Sequence, residues 1–590
     1  MVSSRSGEEV HKSWPLDTLP RPSLPLFLTS CMPDYIRLAV RVSLLSTLVC
    51  TTTAEAVAQD EIYTFVEGLV RSREFGYSVA AAGDLNQDGY EDVLIGAPGM
   101  YFGGRANVGR AWAKSGRDGR TLYYLGGDKI ADRFGHSVAG VGDIDKDSFP
   151  DFIVGAPGGK YARVFSGVDG SLIRELTSPP VPNQFYGTND FGVSVAGAGD
   201  VNADGVPDVI VGESRLSRSY AGRITETGGA FVISGDDGSL IYPFHGGEPN
   251  ALFGFSVAGA GDVNGDGYDD VLVGVPARGC NAGLSDCGRV WVFSGFDGVH
   301  LNVIYGLNAG GQVGWSVAAV GDVDRDGHSD FMVGAPSAIG GVSKALVYSG
   351  RTSRIIHQFE GALGSTLTGF SVGPAGDINN DGYADVFVGS PGEQIWSGTV
   401  GAVRIRSGKD GSILSSMVGN VVNGRLGWSV AGNIDINRDG TPDYIVGGER
   451  TNSVKVLSGK DLNMWSDVHE LRSHLPGTQT LTIDAGQRHA GRSYFMLGSV
   501  TGTVPGTLFG GVHIPLNIDT WTLAELNFVN SPVLTNFAGN LDASGRATAT
   551  INVPPGLPSG LGFSVHHAYL VYGRTNVPHM ASNAVPLFIR

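Results

Sequence analysis

A nine-residue acidic pattern recurs seven times in this chain, always in register with the apolar runs around it. Its fourth copy reads Asp262-Val263-Asn264-Gly265-Asp266-Gly267-Tyr268-Asp269-Asp270, with oxygen-bearing side chains at positions one, three, five and nine. The same positions are held by Asp84, Asn86, Asp88 and Asp92; by Asp143, Asp145, Asp147 and Asp151; and by Asp200, Asn202, Asp204 and Asp208. They return as Asp322, Asp324, Asp326 and Asp330; as Asp377, Asn379, Asp381 and Asp385; and as Asp435, Asn437, Asp439 and Asp443. Successive first Asp residues lie 59, 57, 62, 60, 55 and 58 positions apart. A period of this length means one supersecondary unit per repeat, each burying its face against its neighbours.

The flanks of the pattern say what that unit is. In the fourth repeat, 256–260 and 271–275 are short apolar runs, and 289–294 alternates Val290 and Val292 with Trp291 and Phe293. The turn Gly295-Phe296-Asp297-Gly298 leads to a fourth run at 301–305, and Asp-Gly between apolar runs is a strong hairpin signal. A Ser-Gly-x-Asp-Gly turn recurs at 115–119, 166–170, 234–238 and 407–411, while the fifth repeat breaks it with Arg351-Thr352. Four strands per repeat, seven times over, suit blades arranged radially. The 90 glycines among 590 residues, about twice the usual ~7%, suit an all-β chain with many tight turns.

The loop chemistry points to a hard cation. Ca²⁺ takes six to eight oxygens at about 2.3–2.6 Å, and alternate residues of a curled loop point inward together. The carbonyls at position seven, those of Tyr90, Phe149, Val206, Tyr268, His328, Tyr383 and Thr441, supply a further oxygen in each loop. The last acid stands at position nine, and a β-branched run follows instead of a helix, so the loop belongs to a β-hairpin and not to an EF-hand. Two loops depart from the pattern: Ser148 replaces the Gly after position five, and Asn433-Ile434 replaces the Gly before Asp435. These two are expected to bind most weakly. The loops carry 23 carboxylates, and seven Ca²⁺ would bring the net charge of −17 to about −3. A chain this acidic, with 17% charged residues, argues against a nucleic-acid partner.

These repeats resemble the FG-GAP repeats of the integrin α-subunit N-terminal β-propeller and its bacterial relatives. The matching residues are Phe75-Gly76 with Gly96-Ala97-Pro98, Phe134-Gly135 with Gly155-Ala156-Pro157, Phe253-Gly254 with Gly274-Val275-Pro276, and Gly334-Ala335-Pro336. Thr368-Gly369, Leu426-Gly427, Gly212-Glu213-Ser214 and Gly447-Gly448-Glu449 depart from it. Over roughly 61–465 the resemblance implies a seven-bladed propeller with Ca²⁺ in hairpin loops on one face. Integrin α chains carry such loops in only some blades, whereas all seven are nearly complete here.

The remaining segments are read as a leader, a linker and a small second domain. Residues 1–58 resemble a targeting segment, with Met32 as a candidate start, an apolar run at 42–50 and Ala56-Val57-Ala58 as an export cleavage pattern. The propeller occupies 59–465, a linker 466–478, and a C-terminal β domain of sandwich type 479–590, with runs at 480–483, 493–497, 512–518, 547–553, 563–572 and 584–589. Residues 62–66 stand where the last strand of a preceding blade would stand, so they are expected to pair with the last blade and close the ring. Cys31 and Cys50 fall in the leader; Cys280 and Cys287, an even pair in an exported protein, read as a local disulfide.

No catalytic constellation stands out. His566-His567 lies in a strand, so its rings face opposite sides, and His136 and His328 read as surface residues. The reading that follows is an exported, Ca²⁺-stapled, non-catalytic scaffold, secreted or held at the cell surface or in the periplasm, for an extracellular protein or glycan. The longer inter-repeat segments 101–107, 215–225 and 278–287 are its candidate recognition loops. The alternative is a hydrolase or lyase acting on polysaccharides or phosphodiesters.

Overall fold

The computed structural model describes residues 61–66 and most of 74–589; the segments 1–60, 67–73, 102–105, 181–188, 278–285, 338–341, 362–365, 460–463, 501–506 and 554–562, with several shorter ones after 220, lie outside the described residues. Seven four-stranded antiparallel sheets occupy the repeat region. The fourth is typical: Ser256–Gly261, Asp270–Val275, Arg289–Phe293 and His300–Tyr305, paired in that order. Each sheet packs its first strand against the first strand of the next, from Ser78–Gly83 through Ser137–Gly142, Ser194–Gly199, Ser256–Gly261, Ser316–Gly321 and Val372–Gly376 to Leu426–Ile434, which returns to Ser78–Gly83. This is a seven-bladed β-propeller.

Burial follows position within the blade. Second strands such as Asp92–Ala97 and Asp270–Val275 are buried at every residue, which explains apolar runs without alternation. Fourth strands such as Thr121–Gly126 are largely exposed. The seventh blade takes its outer strand from the other end of the chain. Glu61–Val66 runs antiparallel to Ser453–Leu457, with Tyr63 opposite Val456 and Phe65 opposite Val454. Pairing the two ends removes the open edge that Ser453–Leu457 would otherwise present.

The residues of the FG-GAP pattern stitch neighbouring blades together. Phe75, Phe134, Phe191 and Phe253 are fully or almost fully buried at blade junctions. The carbonyl of the Gly after this position accepts a serine hydroxyl from the preceding blade: Ser78 Oγ to Gly135 at 3.0 Å, Ser256 to Gly314 at 2.9 Å, Ser316 to Gly369 at 3.0 Å and Ser371 to Gly427 at 2.9 Å. Ser429 of the seventh blade donates to Gly76 of the first at 2.8 Å, so the stitch also closes the ring. Where Thr368 replaces Phe, a chain of buried hydroxyls fills the space: Ser343 to Thr366 at 3.0 Å, Thr366 to Thr368 at 3.1 Å and Thr368 to Ser390 at 3.0 Å. Where Glu213 replaces Ala, Ser178 donates to its Oε2 at 2.6 Å, and burial pushes the Glu213 carboxyl up to about 7.

Two further sheets follow the propeller. One joins Met464–Ser466, Gly477–Asp484, Arg546–Val553 and Leu534–Thr535; the other is built on Phe563–Tyr572, Ser493–Ser499 and Val585–Ile589. Leu481, Ile483 and Ile551 of the first share one core with Tyr494, Met496, Tyr569 and Leu587 of the second, as in a sandwich. The expected linker, 466–478, contains a strand: Glu470–Leu471 pairs in parallel with Val585–Ile589. Met464 and Trp465, read from sequence as the end of the propeller, and Ser466, read as the first linker residue, form a strand of the sandwich sheet instead. Both strands are too short to carry a periodic signal. Blade six meets this region through its outer strand, Ile413–Val418, whose Ile413, Leu414 and Ser415 are buried.

Candidate metal centres

All seven acidic loops join the first strand of a blade to its second. Position one follows the first strand and position nine opens the second, as in Ser78–Gly83, Asp84 and Asp92–Ala97. Backbone amides hold the carboxylates in one repeated arrangement. Oδ1 of the first Asp accepts the amide of position five at 2.9–3.1 Å, from Asp88, Asp147, Asp204, Asp266, Asp326, Asp381 and Asp439. Its Oδ2 accepts the next amide at 2.7–3.0 Å, from Gly89, Ser148, Gly205, Gly267, Gly327, Gly382 and Gly440. The position-three oxygens of Asn86, Asp145, Asn202, Asn264, Asp324, Asn379 and Asn437 accept the same position-five amides at 2.9–3.2 Å. Position-five Oδ1 accepts the amides of Tyr90, Phe149, Val206, Tyr268, His328, Tyr383 and Thr441 at 2.8–3.1 Å.

The position-nine carboxylates Asp92, Asp151, Asp208, Asp270, Asp330, Asp385 and Asp443 are each 0% exposed. One oxygen accepts the amide of position two, from Leu85, Ile144, Val201, Val263, Val323, Ile378 and Ile436, at 2.7–3.0 Å. The other accepts a glycine amide from the third turn of the blade: Gly116, Gly167, Gly235, Gly295, Gly350, Gly408 and Gly459, at 2.9–3.1 Å. These are the glycines of the recurring Ser-Gly turn, and the sequence reading gave them no part in the site. A Cβ on any of them would run into the carbonyl of the residue before the position-nine Asp. The fifth repeat, which loses Asp-Gly, keeps Ser349-Gly350 and the contact.

The donor set fits a divalent cation. Burial pushes Asp92, Asp385 and Asp443 up to about 7 and Asp151, Asp208, Asp270 and Asp330 up to about 6; backbone hydrogen bonds oppose the shift and neighbouring carboxylates add to it. A positive ion is the partner such a group lacks. Oxygens of Asp143, Asp145 and Asp151 lie within 4.8 Å of one another, as do those of Asp322, Asp324 and Asp330. These are the two loops with Asp at position three; the other five keep the same frame around Asn. The substituted positions do adopt the left-handed backbone: Ser148 has φ 75°. In the seventh loop the left-handed residue slides one place upstream, to Asn433 at φ 60°, because β-branched Ile434 disfavours that region. Cys287 is 0% exposed, and Cys280 lies outside the described residues.

Six stretches, 75–113, 134–171, 191–225, 253–293, 313–351 and 368–405, match the FG-GAP repeat. The chain is an FG-GAP repeat protein. Its seventh blade, which carries Leu426-Gly427 and Gly447-Gly448, keeps the fold without that match. This FG-GAP protein is 31% identical over 226 residues to integrin alpha-5 of Xenopus laevis and 33% identical over 220 residues to integrin alpha-V of Gallus gallus. It is 37% identical over 155 residues to integrin alpha-IIb of Homo sapiens. The alignments cover 35%, 34% and 23% of this chain and 20%, 20% and 14% of those relatives. The chain thus spans about a fifth of the length of the first two.

At the other end of the first strands, the residue after the repeat's Gly is aromatic or His in six of the seven blades, Val193 standing in the third, and these six form a collar. Ring centroids lie 4.8 Å apart for Phe255–Trp315, 5.4 Å for Trp315–Phe370, 4.3 Å for Phe370–Trp428, 5.6 Å for Trp428–Tyr77 and 5.0 Å for Tyr77–His136. All six are part-exposed. His136, read from sequence as a surface residue, belongs here: its Nδ1 lies 3.0 Å from the Val193 carbonyl, and burial holds the imidazole down at about 4. His328 is half-buried, against Gly265 of the preceding loop. In the C-terminal region His567 Nε2 meets Glu525 Oε1 at 3.0 Å with both side chains sealed from solvent, while burial holds the neighbouring His566 imidazole down at about 4.

Proposed function

We propose that this protein is an exported, Ca²⁺-stapled propeller that acts as a non-catalytic adhesion-type scaffold. The observation that carries the reading is the buried position-nine carboxylate in all seven loops, joined in the second and fifth by position-one and position-three oxygens within 4.8 Å. In each loop the side chains at positions one, three, five and nine and the carbonyl at position seven would hold the ion. Bound Ca²⁺ would supply charge neutralisation and cross-link the first two strands of every blade. The second and seventh loops are the weakest: Ser148 holds a left-handed backbone, at a cost on the order of 1 kcal/mol, where the other six loops place glycine, and the seventh loop shifts its left-handed residue upstream to Asn433.

Recognition belongs to the end opposite the metals. The aromatic collar offers flat, part-exposed faces that suit a sugar ring or a protein side chain. The β-hairpin Ser217–Tyr220 with Arg223–Glu226 leaves its blade at the same end, and the segments 101–107 and 278–287 are the other candidate recognition loops. Cys280 and Cys287 close the last of these as a disulfide. Export, with the leader at 1–58, and an extracellular protein or glycan partner complete the reading. No helix among the described residues is long and apolar enough to cross a membrane.

Metal analysis after dialysis against Ca²⁺ tests the first half: about seven ions per chain are expected, falling by one with Asp266→Ala. Binding to glycan and extracellular-matrix arrays tests the second, and Trp428→Ala should abolish any hit. Turnover of a polysaccharide or phosphodiester, lost on one point change, would overturn the non-catalytic reading.

A further inference from the structure

The seven loops touch one another around the ring through position eight. Pro150 packs against Gly83 of the loop before it, Pro207 against Gly142, Ser329 against Gly261, Ala384 against Gly321 and Pro442 against Gly376. Two junctions differ, because position eight there is a carboxylate. Asp269 Oδ2 accepts the backbone amide of Asp200, the first ligand position of loop three, at 2.9 Å. Glu91 takes a backbone hydrogen bond from Asp435, the first ligand position of loop seven.

We propose that these two carboxylates couple cation binding between neighbouring loops, loop four to loop three through Asp269 and loop one to loop seven through Glu91. The inference rests on reading the loops as cation sites. Asp269 is covalently next to Asp270, whose oxygens hold the amides of Val263 and Gly295 at 3.0 and 2.9 Å. Ordering loop four therefore fixes Asp269, and Asp269 fixes the amide of Asp200. The carboxylate of Asp200 is the one that accepts the amides of Asp204 and Gly205 at 3.0 and 2.9 Å. Charge acts in the same direction. Asp269 stands near both Asp200 and Asp262, so neutralising either acidic set relieves repulsion in the other. Proline, alanine and serine at the remaining junctions carry no charge; the Ser329 amide reaches the Asp262 carbonyl at 3.4 Å, as the Asp269 amide reaches that of Asp200 at 3.5 Å, and Gln87 Nε2 donates to the Ser148 carbonyl at 2.8 Å, so these junctions share neutral contacts and lack only the carboxylate. The outcome is two coupled pairs, loops three with four and seven with one, and a set of more independent loops between them.

Site-resolved hydrogen exchange on the full chain, followed against Ca²⁺ concentration, tests this loop by loop. Asp266→Ala disables loop four at an exposed position. It should raise the Ca²⁺ needed to protect residues 200–208 by about fivefold or more. In an Asp269→Ala background the same change should no longer move 200–208, which closes a double-mutant cycle. Asp326→Ala in loop five, across the Ser329 junction, should leave the midpoint for 262–270 within about twofold, below the usual size of an allosteric effect. Asp266→Asn, which keeps the side-chain volume, should repeat the result if the alanine variant folds poorly. Equal shifts across the Asp269 and Ser329 junctions, or no shift at 200–208, overturn the coupling while leaving the cation sites intact. Absence of Ca²⁺-dependent protection in every loop overturns the cation reading itself.

Discussion

Gly295 lacks a side chain because the backbone of its neighbour fills the space. Its amide reaches Asp270 Oδ1 at 2.9 Å, and a Cβ there would meet the Asp269 carbonyl. Gly295→Ala should cost about 1–3 kcal/mol by overpacking and weaken the fourth loop, measured by urea denaturation at fixed Ca²⁺. An unchanged midpoint would contradict the geometry. His136 gives a pH prediction. Its folded pKa, about 4, lies below the ordinary 6.5, so the unfolded chain binds the proton first as pH falls. The stability tied to neutral His136 is complete above pH ~6.5 and is lost as pH falls toward ~4, by up to about 3 kcal/mol. His136→Phe keeps a ring in the collar and removes the titration. The stability gap between wild type and this variant should therefore shift against the wild type between pH 7 and 4.5, and a constant gap would contradict it. The seven acidic loops and their place between the first and second strands were legible from spacing alone. The Ser-Gly amide and the serine-to-glycine stitch were not, because each joins residues that only the folded blade or ring brings together.

At the scale of elements, strand order and blade number were readable because the fully buried second strand and the turn signals repeat. Glu61–Val66 was readable by elimination, as the strand that the seventh repeat lacks. Its deletion should lower the thermal midpoint by several degrees or more and promote aggregation through the bared strand Ser453–Leu457. An unchanged melting curve would mean that the ring does not depend on this closure. The C-terminal sandwich was readable in part. Phe563–Tyr572 matches its expected run at both ends, because ten residues with strong apolar character leave little ambiguity. Two- and three-residue strands such as Glu470–Leu471 and Met464–Ser466 depend on partners more than 10 residues away, and nothing local marks them.

For the molecule as a whole, the chain carries a formal charge of −17, concentrated in seven loops that face one end of the propeller. Burial, reinforced by neighbouring carboxylates, pushes the position-nine groups up to about 6 to 7, so keeping them ionised at neutral pH costs the metal-free ring stability. A cation bound by the folded state alone stabilises it by mass action, about 2.7 kcal/mol per site at a hundredfold excess over Kd. Mg²⁺, which keeps its waters and demands tighter octahedral geometry, is a poor substitute in an all-protein oxygen cage. The most direct test is thermal unfolding of residues 59–590 in Ca²⁺ and after chelation. A large fall in the midpoint on chelation is expected, restored by Ca²⁺ and not by Mg²⁺. A midpoint that does not move would mean that the loops are ordinary acidic turns and that the propeller stands without metal.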